Sequence, residues 1–207
     1  MIQGIIRRRA FMNSSKEEYV INAVDNPKIM AQLYSKGYAK SPDGMTATEC
    51  SKVTSITKFT ESVGYESFDG LKYFTKLESI PYECFYNKNL SGFTLPESIK
   101  SINEGAFRFG SFPKNYYIVI PSKVSYIGLY AFIGNANRPL NYVFKGTTPP
   151  SLTTNNRAPD GTLSKVGYIY VPDEAIDVYK TAWGDLTFND TTGTALDKIK
   201  PMSELPQ

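Results

Sequence analysis

Five carboxylates, Glu97, Glu104, Asp160, Asp173 and Asp177, are the side chains best suited by type to do chemistry. Two carboxylates held at a fixed separation suffice for glycoside hydrolysis, one as acid and one as base or nucleophile. No motif singles out a pair among the five, and each falls at a turn or a helix start, where a carboxylate serves as a cap. None of the 207 residues is His. That excludes a Ser-His-Asp or Cys-His relay and a His-ligated zinc site. Cys50 and Cys84 are the two cysteines. They cannot build a zinc site alone, and nothing in the sequence gives a geometry for a disulfide between them. With no motif to support catalysis, the chain is read as non-enzymatic, with a carbohydrate-active enzyme as the remote alternative. No cofactor and no metal are expected.

The formal net charge is +3. This is too small and too diffuse for a nucleic-acid surface, so no nucleic-acid partner is expected. The local exception is Arg7, Arg8 and Arg9. The opening "MIQGIIRRRAFM" has a short apolar stretch before these arginines and no apolar core after them. It is read as a tether rather than an export signal. No run approaches the ~20 apolar residues that a membrane helix needs. The aromatic content is unusual, with 15 Tyr and 12 Phe against one Trp. Aromatic strands account for it, and Tyr also suits half-buried contact faces.

The elements that must position these groups come from a repeat. "LESIPYECF", "SIKSINEGAF" and "KVSYIGLYAF" share one order, a β-branched residue, a gap, a small residue and Phe. Aligned on Phe85, Phe107 and Phe132, the copies are separated by 22 and 25 residues, and Ile80, Ile102 and Ile127 keep the same separations. Cys84 stands where the other copies have Ala106 and Ala131, so it is expected to be a small buried residue rather than a reactive thiol. Between copies lie "FTLPESI" and "IVIPSKV", and a further such element is "IYVPDEAI". A period in the twenties fits one coil of a solenoid, whose apolar face is hidden by stacking on its neighbours. The strand is expected in the "IVIP" element, with Ile118 and Ile120 inward and Tyr117 and Val119 outward. Proline ends it, having no amide hydrogen to give. The Phe-bearing element is expected to turn the chain and drop its ring into the stack.

"LPESIKSINEGAF" resembles the BspA-like subclass of leucine-rich repeats, over roughly residues 67 to 150. "SFDGLKYFTKLESIPYECFYN" resembles the usual opening of such arrays in Bacteroides-type proteins. "FKGTTPPSL" and "YIYVPDEAIDVYKTAWGD" with "IKPMSEL" resemble their usual ending. Two departures stand out: the enlarged loop "RFGSFPKNYY", and the missing "GC" after each Phe. The resemblance implies an α+β fold: a short BspA-like leucine-rich-repeat solenoid with a helical N-terminal cap and a strand-helix C-terminal cap.

End coils expose apolar surface and need those caps. Toward the C-terminus, Asp173 is expected to accept from free amides at a helix start, with Ile176, Tyr179 and Trp183 on the buried face and Gly184 closing the helix. Trp183 is read as a core anchor rather than a ligand platform. In the N-terminal part, Ser15 with Glu18 offers one capping box and Thr46 with Glu49 another. Pro27 after Asn26 opens a helix whose apolar face is Ile29, Met30, Leu33 and Tyr34. The loop "SKGYAKSPDG" between helices resembles half of an EF-hand or dockerin-type calcium unit. Asp43, Gly44 and Glu49 fit that pattern, but Ala39 and Ser41 replace two carboxylates, so a degenerate loop without tight calcium binding is expected. Residues 145–167, rich in Thr, Pro, Asn and Gly, are read as a solvated loop.

Four segments follow: an arm over 1–15, a helical cap over 16–60, repeats over 61–150, and a loop with the C-terminal cap over 151–207. A solenoid surface suits protein or glycan partners. The candidate contact residues are Phe109, Phe112, Tyr116, Tyr126 and Tyr130, with lateral packing as their alternative role. The expected function is a binding or adhesion module. Absence of an export signal, and an opening that looks like leaders of Bacteroides and their phages, point to a bacteriophage virion component assembled in the host cytoplasm. Arg7, Arg8 and Arg9 would then anchor the arm to acidic groups on other virion proteins. The alternative is a surface adhesin of a Bacteroides-type bacterium, facing a host surface protein or glycan. Oligomerisation is left open.

Overall fold

The computed structural model describes residues 17–61, 64–113, 115–133, 139–153, 162–163, 166–186 and 195–207. Arg7, Arg8, Arg9, Ser15 and Asp160 lie outside them.

The N-terminal part mixes strand and helix. β1 (Tyr19–Asn22) pairs antiparallel with β2 (Gly44–Thr46). The segment expected to continue a helix from Ser15 is therefore extended, because its Tyr-Val-Ile run finds an edge in β2. Helix α1 (Pro27–Ser35) begins at Pro27 as expected. Its cap is not Asn26, whose side chain makes no capping bond and whose Oδ1 is buried without a partner. The Glu66 carboxylate caps it instead, accepting from the Lys28 amide at 3.0 and 3.1 Å and from the Ile29 amide at 2.9 Å. A carboxylate against a helix N-terminus satisfies orphan amides and complements the dipole. Ile29, Met30 and Leu33 are buried; Tyr34, expected beside them, is 46% exposed. Helix α2 (Ala47–Cys50) carries the Thr46/Glu49 capping box in full.

From there the chain winds as a β-solenoid of about four turns. One face comprises β3 (Gly64–Phe68) paired with β5 (Asn89–Phe93), then β7 (Tyr117–Ile120), β9 (Leu140–Phe144), β11 (Val166–Val171) and β12 (Ile199–Pro201), all parallel. In β7, Ile118 and Ile120 point in and Val119 points out, as the alternation requires. The second face was not foreseen. β4 (Ser79–Ile80), β6 (Ser101–Ile102), β8 (Tyr126–Ile127) and β10 (Ser151–Leu152) form a parallel sheet of two-residue strands. The residue pairs ending at Ile80, Ile102 and Ile127 are thus strand, and the turn begins after each.

The first face has a seam between β5 and β7, at the enlarged loop. The Tyr116 hydroxyl fills it. It accepts from the Phe93 amide at 2.8 Å and donates to the Phe93 carbonyl at 2.7 Å. One side chain replaces a missing neighbouring strand. Tyr116→Phe leaves both Phe93 groups without partners and is expected to lower stability by about 1–3 kcal/mol. Urea unfolding of the variant measures this; an unchanged midpoint would contradict the role.

The core runs unbroken from Ile21 to Ile199. Its spine is a stack of rings. Phe59, Phe85, Phe107 and Phe132 lie nearly parallel, with successive centroids 5.2, 5.1 and 5.2 Å apart. Backbone bonds tie each rung to the next: the amides of Phe59, Phe85, Phe107 and Phe132 donate to the carbonyls of Cys84, Ala106, Ala131 and Thr162. By that register Leu163, fully buried, sits where the next ring would be. The stretch 145–167 is consequently not all solvated loop. Residues 151 and 152 form β10, Leu163 is core, and Thr162 donates its hydroxyl to the Thr153 carbonyl at 2.7 Å.

The C-terminal cap is helix α3 (Ile176–Trp183) with Tyr179 and Trp183 buried and Gly184 closing it. Asp173 does not cap it. Its carboxylate accepts from the Ser203 amide at 3.0 Å, pinning the final segment to the cap. One charged group in the body is buried at a cost. Lys88 is 6% exposed, and among the described residues its ammonium has one partner, the Thr60 carbonyl at 3.3 Å. Desolvation draws its pKa below the ordinary lysine value. A lysine so shifted destabilises the fold fully below its lowered pKa, and the penalty fades as pH rises toward ~10.4, where the unfolded chain also loses the proton. Lys88→Met is therefore expected to raise the melting temperature at pH 7 by on the order of 2–4 °C, with a smaller gain near pH 10. A gain that grows with pH would contradict it. Cys50 and Cys84 are both buried and unbridged. Burial pushes the Cys50 thiol up to about 12 and the Cys84 thiol higher still. Neither is expected to react with a chromogenic disulfide at pH 8 until the chain is denatured, when both will.

Candidate interaction surface

The turn that carries each ring is held by a third set of inter-coil bonds. The amides of Glu83, Phe85 and Asn87 donate to the carbonyls of Glu104, Ala106 and Arg108; those of Gly105, Phe107 and Phe109 donate to Leu129, Ala131 and Ile133. Aiming alternate amides at the next coil requires left-handed backbone two residues before and two after the ring. Glu83, Gly105 and Tyr130 fill the first position with φ of 48°, 64° and 59°; Asn87 and Phe109 fill the second with 54° and 56°. Gly and Asn are the inexpensive residues there, whereas a bulky side chain costs roughly 1–2 kcal/mol. Phe109 and Tyr130 therefore stand where folding alone favours Gly or Asn.

These two rings hold Arg108. Its guanidinium lies 4.7 Å from the Phe109 centroid and 4.8 Å from that of Tyr130. Phe109 is 41% exposed and meets Tyr86 edge to face, with centroids 5.7 Å apart. Lys58 lies over the Tyr86 ring and pairs with Glu83. That ion pair, with a hydrogen bond as its main part, holds the Glu83 carboxyl below the usual carboxylate range. Arg108 makes no ion pair among the described residues, and its Nε is buried and unpaired.

The five candidate contact residues divide among three places. Phe109 and Tyr130 are together on the turn face. Phe112 and Tyr116 are half-buried, stacked on each other at 5.5 Å and packed on Phe93, so their geometry is that of lateral packing at the seam. Tyr126 lies on the second sheet, where its hydroxyl accepts from Thr153 at 2.9 Å. Sequence reasoning passed over Arg108, between two candidates, and Tyr86, one residue after a ring. It also passed over Tyr117, Tyr168 and Tyr170, which cluster on the outside of the first face with centroids 6.1 Å apart. The outward alternation of Tyr117 was the available signal.

The groups nominated for chemistry have individual tasks. Glu97 pairs with Lys145 at 2.6 Å, Asp173 binds the Ser203 amide, and Asp177 lies in the first turn of α3. Glu104 is exposed. In the calcium-like loop, Glu49 is spent on the α2 cap, and Asp43 accepts from the Ser41 hydroxyl at 3.3 Å. Among the described residues no three His, Cys, Asp or Glu side chains group around a possible ion. Two shallow clefts, of about 590 and 350 Å³, share Lys40, Glu49 and Lys52 beside that loop. No described helix is long and apolar enough to cross a membrane.

Residues 46–143 match the family model described as BspA type leucine rich repeat region, in six copies. The matched span is just under half of the chain. The BspA-type match begins inside the segment assigned to the N-terminal cap, in keeping with Phe59 as the first rung. No curated protein matches the chain. Repeat regions of the BspA type are generally non-enzymatic and suggest a protein-binding or adhesion module.

Proposed function

We propose that the chain is a non-enzymatic binding module whose turn face, built on Tyr86, Arg108, Phe109 and Tyr130, contacts a macromolecular partner. One observation carries this reading. Two aromatic side chains occupy left-handed positions that the fold fills more cheaply with Gly105 and Asn87. Strain of this kind is retained where the side chain has a use. The ring stack and the inter-coil bonds make the face rigid, so little ordering is lost on contact.

The proposed setting is a bacteriophage virion, with Arg7, Arg8 and Arg9 anchoring an arm to acidic groups of neighbouring particle proteins. Its support is the opening segment's likeness to leaders of Bacteroides and their phages. A surface adhesin is the second setting. Mass spectrometry of purified particles separates them: the chain is expected in particles, and its absence contradicts the virion setting. For the contact face, a photo-crosslinking residue is placed at Phe109 and, as control, at the exposed Lys123. With particles or cell envelopes of the source, a discrete adduct is expected from position 109 alone. Adducts from neither position, or equally from both, would contradict the assignment.

A further inference from the structure

We propose that Arg108 is a preformed receptor for a carboxylate of a protein partner, an Asp or Glu side chain inserted at the turn face. The inference rests on the contact-face reading and adds the chemistry recognised there.

A guanidinium packed against two rings is fixed in plane and direction. Its remaining N–H groups lie in that plane, as a fork that matches a carboxylate. Among the described residues no carboxylate fills that fork, and Nε is buried without a partner. The acidic groups on the same turns are Glu83 and Glu104. Glu83 is committed to Lys58, and Glu104 is exposed with no ion pair among the described residues. A positive group stacked, desolvated along one edge and coupled to Glu83 through space, with no ion pair among the described residues, is unlike the other inter-coil pairs of this surface. Lys100 meets Glu78 at 2.8 Å and Lys145 meets Glu97 at 2.6 Å.

The rings also select the class of partner. A sugar binds an aromatic residue through an open ring face. Here Arg108 covers one face of Phe109 and one of Tyr130, and Phe109 and Tyr86 meet edge to face. The guanidinium edge lies beside these rings. That arrangement suits an acidic side chain seated among apolar neighbours, and Arg with Tyr is the composition of a protein-contact hot spot.

The test uses the full chain with arginine labelled in 15N. It is titrated with end-blocked hexaglutamate, with hexaglutamine, and with trigalacturonic acid as a carboxylate on a sugar. Hexaglutamate is expected to move the Arg108 Nε–H signal saturably, and hexaglutamine is expected not to. Arg108→Gln should weaken hexaglutamate binding at least tenfold. Arg108→Lys, which keeps the charge and the packed stem but loses the fork, should weaken it several-fold and serves if the Gln variant does not fold. The proposal is overturned if hexaglutamate leaves the signal still, if affinity in both variants stays within twofold of the parent, or if the sugar acid binds and the peptide does not. The crosslink from position 109 is read independently. An adduct there with no response of Arg108 removes the carboxylate receptor and keeps the contact face; a peptide response with no adduct does the reverse.

Discussion

Phe107→Ala is expected to cost about 3–5 kcal/mol, the loss for a fully buried ring that leaves an unfilled cavity. The buried ring packs against three others: Phe85 at 5.1 Å, Phe132 at 5.2 Å and Phe93 at 4.6 Å. The backbone around it is fixed to both adjoining coils, by the Phe85 amide on one side and the Ala131 carbonyl on the other. Collapse into the cavity would break those bonds, so relaxation recovers little. Stacked rings also couple. In a double-mutant cycle, Phe85→Ala and Phe107→Ala should show an interaction of about 0.5–1.5 kcal/mol. Urea unfolding gives both quantities. A single loss under 1 kcal/mol, or strict additivity, would mean that the rings do not form one stack.

Trp183→Ala is the second large effect, again about 3–5 kcal/mol. Trp183 meets Phe144 and Tyr179 edge to face, with centroids 5.1 and 5.0 Å apart. Tyr179 in turn donates its hydroxyl to the Gly146 carbonyl at 2.9 Å. These contacts close the last coil over the apolar interior. In a quasi-one-dimensional array the terminal coil depends on its cap, because it has one neighbour instead of two. The variant should therefore open from the C-terminal end. Limited proteolysis is expected to cut first between residues 139 and 207 while the fragment holding Phe59, Phe85 and Phe107 persists. Cleavage spread evenly along the chain would contradict a local closing role.

What the sequence shows of this fold follows from how strongly burial constrains each position. Phe85, Phe107 and Phe132 repeat visibly because each coil must offer a ring at one height. Phe59 belongs to the same stack but is hidden, because its coil lacks the Ile five residues earlier; Thr54 stands there. Leu163 is hidden for a different reason: one apolar residue in a Thr- and Asn-rich stretch carries no period. The second sheet escaped notice since two-residue strands are too short to alternate. Long-range polar bonds leave no local trace. Glu66 caps a helix across a separation of 38 residues, and Asp173 was drawn from its own helix to the Ser203 amide 30 residues on. Of the proposed contact surface, aromatic excess made Phe109 and Tyr130 legible. Arg108 was not, because its place between the two rings is set by the turn geometry and leaves no mark in the sequence.

The central claim is that one column of rings runs through successive coils. Ring-to-ring nuclear Overhauser effects in a chain labelled at phenylalanine test it most directly. Cross-peaks are expected from Phe59 to Phe85, Phe85 to Phe107 and Phe107 to Phe132, with none from Phe59 to Phe132. Missing neighbour cross-peaks, or a direct contact between the first and last rings, would contradict the account.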